Sequence, residues 1–177
     1  MNLYRIFSRL AVVACVLPGM ALSAGAGAAD IHGDVSLAGT WTLVAADVIH
    51  PDGSRSRDYG DAPKGLLMID RTGRYSLQIF RNDRPRFADP AKAKASAQEY
   101  RAAVMGSSTH YGTLAVEPDR HQLVFHIEGA SFPNWEGQTQ TRAFELHGDT
   151  LSYRVPPRPN GDVPISVWRR VEGDVAH

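Results

Sequence analysis

Arg142 and Gln140 are the residues whose types and spacing point most directly to chemistry in this chain of 177 residues. Over Gln138 to Leu146, strict alternation places Gln138, Gln140, Arg142, Phe144 and Leu146 on one face of a strand. Thr139, Thr141, Ala143 and Glu145 fall on the other. Phe144 and Leu146 belong inside, so Gln140 and Arg142 are expected inside with them. A guanidinium in an apolar interior is costly unless it is partnered. Two kinds of partner stand open: a ligand carboxylate, phenolate or carbonyl, or an internal salt bridge, with Glu128 as the candidate. His126 is the general acid–base candidate if the protein is a catalyst. Leu123, Phe125 and Ile127 alternate with it, so an apolar lumen sends His126 and Glu128 to solvent, and only a bulge or an inverted pattern brings His126 to Arg142. Tyr111 and Tyr153 are further candidates for the interior, as is Tyr100. Trp135 and Asn134 lie in Ser131-Phe132-Pro133-Asn134-Trp135, where large apolar groups occupy a turn and either seal an opening or touch a ligand.

Other chemistries find little support. His121 and His126 are five positions apart, on opposite faces of a strand, so no metal site is expected. No glycine-rich phosphate loop follows a strand, and no cofactor is expected. Ser107 and Ser108 precede His110 without a nucleophile elbow or an acidic orienter. Cys15 is the single cysteine, which leaves no disulfide or thiolate chemistry once the N-terminus is removed. Arg81, Arg84 and Arg86 form a small basic loop, either solvated or attractive to anions near a rim. Without Arg5 and Arg9, 17 basic residues face 19 acidic ones, which is not the footprint of a nucleic-acid binder.

The elements that position these residues read as β. Short runs rich in Val, Ile, Leu, Tyr, Phe and Thr alternate with turn residues, from Gly39–His50 through Gly65–Asp70, Arg74–Phe80, Thr109–Glu117, His121–Glu128, Gln138–Leu146 and Thr150–Val155 to Val163–Val171. Pro51-Asp52-Gly53, Arg71-Thr72-Gly73, Pro118-Asp119-Arg120 and His147-Gly148-Asp149 supply the turns. About eight sequential antiparallel strands predict an up-and-down barrel, whose closure removes the exposed edges of an open sheet. One segment departs from this rhythm. Ser96-Ala97-Gln98-Glu99 reads as a capping box and predicts one short helix ending at Gly106, either a lid over the barrel mouth or a plain crossover connection.

The first 28 residues read as a signal peptide. Arg5 and Arg9 precede an apolar run from Leu10 to Leu22, and small residues follow from Ser23 to Ala29. The run is too short to span a bilayer, so no membrane span is expected. The expected location is periplasmic or secreted. Lipid anchoring through Cys15, after Val12-Val13-Ala14, is the less favoured alternative.

Gly39-Thr40-Trp41 opens the first strand, where a Trp plugs one barrel end and an Arg of the last strand, Arg169 or Arg170, stacks on it. With LAGTWTLVAADVIHPDGSRSRDYG, PKGLLMID, RNDRPRF, EYRAAV, YGTLAV, HIEGASFPNWEGQTQTRAFEL, GDTLSY and VWRRV in this order, the chain from residue 37 to 171 resembles the bacterial and fungal lipocalin-like domain family, of calycin type. The resemblance implies an all-β, eight-stranded antiparallel up-and-down lipocalin-like barrel. It implies no single activity. The leading expectation is an exported protein that binds one small hydrophobic or aromatic molecule in the barrel interior, through Arg142, Gln140, Tyr111, Tyr153, Phe144, Trp135 and Asn134. The alternatives are a cyclase- or isomerase-type enzyme working in the lumen, and an envelope stress protein with a filled barrel. The sequence is silent on oligomeric state.

Overall fold

Alternation of apolar and polar residues becomes a closed sheet in the computed structural model, which describes residues 36–173. The strands are β1 (Gly39–Ile49), β2 (Arg55–Ser56), β3 (Lys64–Ile69), β4 (Arg74–Phe80), β5 (Ser107–Glu117), β6 (Gln122–Ala130), β7 (Thr139–His147), β8 (Thr150–Arg154) and β9 (Val163–Arg170), with the helix α1 (Ala97–Met105) between β4 and β5. Each of β3 to β9 is antiparallel to its neighbour, and β9 returns to pair with β1 from Trp41↔Arg170 to Ile49↔Val163. Eight strands thus close the barrel. The two-residue β2 is an addition to the far half of β1, through Val48↔Ser56 and Ile49↔Arg55, and is too short to show as a strand in the sequence pattern.

One end of the barrel is solid. Trp41 and Trp168 are wholly buried. The Trp41 indole donates to the Leu37 carbonyl at 3.0 Å, and the Arg170 guanidinium lies 4.0 Å from the Trp41 ring centroid. Arg170 also donates to the carbonyls of Ala38 and Ser36, so it is Arg170 and not the exposed Arg169 that closes this end. Phe125, Leu123, Ile127, Leu67 and Leu151 fill the adjoining layer with no exposed surface.

Tight turns set the register. Between β3 and β4, Asp70 Oδ1 accepts from the backbone N–H groups of Thr72 and Arg74, and Gly73 supplies the positive φ of 82°. At Gly112 the β5–β6 register shifts, and a Cβ there would run into the His126 carbonyl oxygen. This position therefore requires glycine.

The capping box at α1 forms as the sequence predicts: Ser96 Oγ accepts from Glu99 N–H, and the Glu99 carboxylate accepts from Ser96 N–H at 2.7 Å. Glu99 also takes the Ala88 N–H at 2.7 Å, tying the preceding loop to the helix. No residue of α1 is buried. Among the described residues no helix is long and apolar enough to cross a membrane. The expected signal peptide over residues 1–28 and the anchoring alternative at Cys15 lie outside the described residues.

Candidate functional site

The barrel half opposite Trp41 is hollow. A cavity of about 470 Å³ lies among the ends of β1, β4 and β8, the beginnings of β5, β7 and β9, and the segment following β8. It opens at one mouth, where Ile79, Trp135, Val155, Pro156, Pro157 and Ile165 supply apolar wall. None of residues 81–106 lines it. Loop and helix are a crossover connection rather than a lid, and Arg81, Arg84 and Arg86 do not face the cavity. Arg81 holds Asp83 at 2.9 Å and Arg84 covers the Phe80 ring.

Arg142 forms the floor. Alternation along β7 places it inward as expected, 5% exposed, with Gln140 beside it toward the mouth. Its guanidinium carbon lies 4.2 Å from the Phe125 ring centroid and 5.1 Å from that of Tyr153, so aromatic faces rather than an anion surround the charge. Nη2 donates to Gln140 Oε1 at 2.9 Å and meets His110 Nε2 at 3.3 Å. Arginine only donates, so His110 Nε2 accepts and the ring proton sits on Nδ1. From there it is donated to the Tyr75 hydroxyl, 2.8 Å away. Burial, with the Arg142 charge added, holds His110 down at about 3, so it stays neutral at ordinary pH. Burial likewise pushes the Tyr75 phenol up.

No carboxylate partners Arg142 among the described residues. Glu128, the internal candidate, points outward and pairs with Arg74 at 2.5 Å. Asp47 is taken by Arg55 at 2.6 Å, and Asp58 by Arg158 at 3.0 Å. Arg142 Nε and the hydroxyl of Tyr153 are enclosed without a hydrogen-bond partner. A buried, unneutralised cation beneath an open apolar cavity is the distinctive feature of this interior.

The other expected site residues divide. Tyr153 and Trp135 line the cavity with Arg142 and Gln140; Trp135 meets the His110 ring edge-on at 6.2 Å. Phe144 points inward but packs below the cavity, near the solid end, tilted against His121 at 6.4 Å. Tyr111 is on the outer wall, 51% exposed, because the side of β5 that carries His110 and Leu114 takes the interior. Its ring lies over Gly129, where a Cβ would come within 2.5 Å. Asn134 is exposed, and its backbone carbonyl accepts from Gln138. Tyr100 meets Phe87 edge-on at 5.9 Å outside the barrel. His126 faces solvent beside Thr139 at 3.3 Å, since Leu123, Phe125 and Ile127 all turn inward. The version of the enzyme expectation in which His126 joins Arg142 is therefore overturned.

His110 and Tyr75 are the site residues that sequence reasoning missed. The signal was available: His110 shares its parity with Leu114 and Val116 on β5, and Tyr75 with Leu77 and Ile79 on β4. The fold also assembles, at the rim, a Ser–His–Asp arrangement invisible in the linear order. Asp162 Oδ1 lies 2.8 Å from His50 Nδ1, and His50 Nε2 lies 2.9 Å from Ser56 Oγ. Asn160 donates to the other Asp162 oxygen at 2.8 Å. Val48↔Ser56 and Val48↔Pro164 are register partners, so His50, Ser56 and Asp162 continue the inward face of Val48 and Pro164 beyond the strand ends. Among the described residues no group of three or more His, Cys, Asp or Glu is arranged to hold a metal ion.

Comparison with known proteins places this architecture. A lipocalin-like protein from Bacteroides uniformis ATCC 8492 is 14% identical, with 76% of this chain and 98% of that one covered and a TM-score of 0.41. A mutant of the fluorescent protein UnaG is 15% identical, with 76% and 96% covered and a TM-score of 0.33. No curated protein matches the chain. The lipocalin-like domain matches residues 38–171, which takes in every strand from β1 to β9, and on that match the chain belongs to the lipocalin-like domain family.

Proposed function

We propose that this protein binds one small, largely apolar or aromatic molecule in the open half of its barrel and does so outside the cytoplasm, in the periplasm or after secretion. One observation carries the binding: the charge of Arg142, buried without a carboxylate at the floor of a 470 Å³ cavity. Cavities of small-molecule sites run from about 300 to 1,000 Å³, apolar with a few polar groups that fix orientation. Arg142 and Gln140 are that polar anchor, and Tyr153, Trp135 and the mouth prolines are the wall. A cavity of this size speaks against a filled barrel. Export rests on the charge, apolar run and small residues of positions 5–29. The test is displacement of an environment-sensitive dye from the purified protein by a panel of apolar and aromatic compounds. Competition by part of the panel supports the reading, and a dye that nothing displaces removes it. Mass spectrometry of small molecules co-purifying with the exported protein then identifies the occupant.

Catalysis is the second reading, on different residues from those expected. Asp162, His50 and Ser56 stand in the order orienter, base, nucleophile at hydrogen-bonding distances. As a hydrolytic site, Ser56 would label with a fluorophosphonate probe and the Ser56→Ala protein would not. Absence of labelling leaves the three residues as a tie between β1, β2 and the segment before β9.

A further inference from the structure

We infer that the molecule held by this barrel is a carboxylic acid, seated with its carboxylate on Arg142 and its apolar body toward the mouth. The inference rests on the binding function proposed above and names the chemistry of its ligand. Charge comes first. Asp47 and Asp58, the acidic residues along the cavity, are each engaged by another arginine. His110 is neutral and Gln140 is an amide, so the floor carries one positive charge and no negative one. Arginine keeps its proton at any ordinary pH. An occupant that completes this floor brings one negative charge.

Hydrogen-bonding capacity points the same way. Gln140 Oε1 and His110 Nε2 are the acceptors that Arg142 meets, and both are spent on Nη2. Among the described residues Arg142 Nη1 has no hydrogen-bond partner, while Nε and the Tyr153 hydroxyl are enclosed without partners. The guanidinium thus keeps an unpaired donor at Nη1, and an occupant that meets it brings acceptors. A carboxylate has two oxygens with about four acceptor directions and matches the planar fork of a guanidinium. A neutral carbonyl would accept a bond and leave the charge uncompensated. A phenol with a pKa of about 10 is ionised to only about one part in a thousand at pH 7, whereas a carboxylic acid near 4 is already ionised.

Orientation follows from the asymmetry of the cavity. Its one charge without an opposite partner is at the floor, the lining Arg158 being held by Asp58 at 3.0 Å, and toward the mouth lie Trp135, Val155, Pro156, Pro157 and Ile165. An acid entering headgroup first places its hydrocarbon or ring system against these side chains. An acid entering tail first would set its apolar end on a guanidinium and its charge among prolines and beside an arginine already neutralised by Asp58.

Matched pairs of ligands test this without any variant. Calorimetry on the full chain compares 1-naphthaleneacetic acid with its methyl ester, and dodecanoic acid with methyl dodecanoate, at pH 7. We expect the acid of at least one pair to bind at least tenfold tighter than its ester, and Arg142→Gln to abolish that difference while the ester still binds. Esters that bind as tightly as their acids overturn the carboxylate inference and leave small-molecule binding standing. Chloride or inorganic phosphate that displaces the acid at equal concentration overturns it too, because the anion alone would then suffice. If neither acids, esters nor an apolar dye bind, the proposed function fails along with it. Should Arg142→Gln not fold, the acid–ester comparison in the native protein decides alone.

Discussion

At the scale of single residues, the interior holds a charge that does little for stability. Removing one member of a buried ion pair costs about 3–5 kcal/mol because the other charge is stranded. Arg142 has no such partner, and Phe125 and Tyr153 already offer an apolar shell. Arg142→Met is accordingly expected to change the free energy of unfolding by no more than about 1 kcal/mol in urea titration, while abolishing preference for acids. His110 carries a pH dependence whose sign is fixed by burial. Its pKa is about 3 in the folded protein against 6.5 as the ordinary value. Between these values the unfolded chain takes up a proton that the folded one refuses. The contribution is therefore complete above about pH 6.5 and is lost as the pH falls toward 3. His110→Asn should flatten the acid limb of stability measured by thermal unfolding from pH 7 to pH 4. An unchanged limb would show that other groups dominate it.

At the scale of elements, what was legible in the sequence is what obeys a period. Alternation along β7 placed Gln140, Arg142 and Phe144 inward correctly, the Ser96–Glu99 pattern gave the helix start, and turn residues gave the hairpins. The misplacement of Tyr111 has a plain cause: a tyrosine suits either side of a barrel wall, and only Leu114 and Val116 further along β5 fix which side His110 takes. Pairings across long separations were out of reach. His50 and Asp162 are 112 positions apart, and no local pattern announces that the barrel closure brings them to one rim. Gly112 tests the register argument. Gly112→Ala drives a Cβ into the backbone of β6 at the point of the register shift. A loss of about 2–4 kcal/mol in urea unfolding is expected, in the range of backbone strain combined with overpacking. Gly137, with no atom within 4 Å of a Cβ but φ of 75°, should lose only about 1 kcal/mol on the same change.

At the scale of the whole molecule, the barrel divides into a solid half and a hollow one, and Ser36, Leu37 and Ala38, just ahead of β1, belong to the solid half. Leu37 is 3% exposed and accepts the Trp41 indole, while the Ser36 and Ala38 carbonyls hold Arg170. A protein beginning at Asp34 is expected to unfold in one cooperative transition. Beginning at Gly39 instead should lower its midpoint by several degrees, through loss of Leu37 burial and of those bonds. The division into halves also distributes the three tryptophans unequally. Trp41 and Trp168 are sealed from solvent, and Trp135 alone stands half-buried at the mouth. The protein thus carries its own optical gauge of occupancy. Two fluorophores report whether the closed end is intact, and a third, at the red side of the emission, shifts or quenches only when something arrives at the opening.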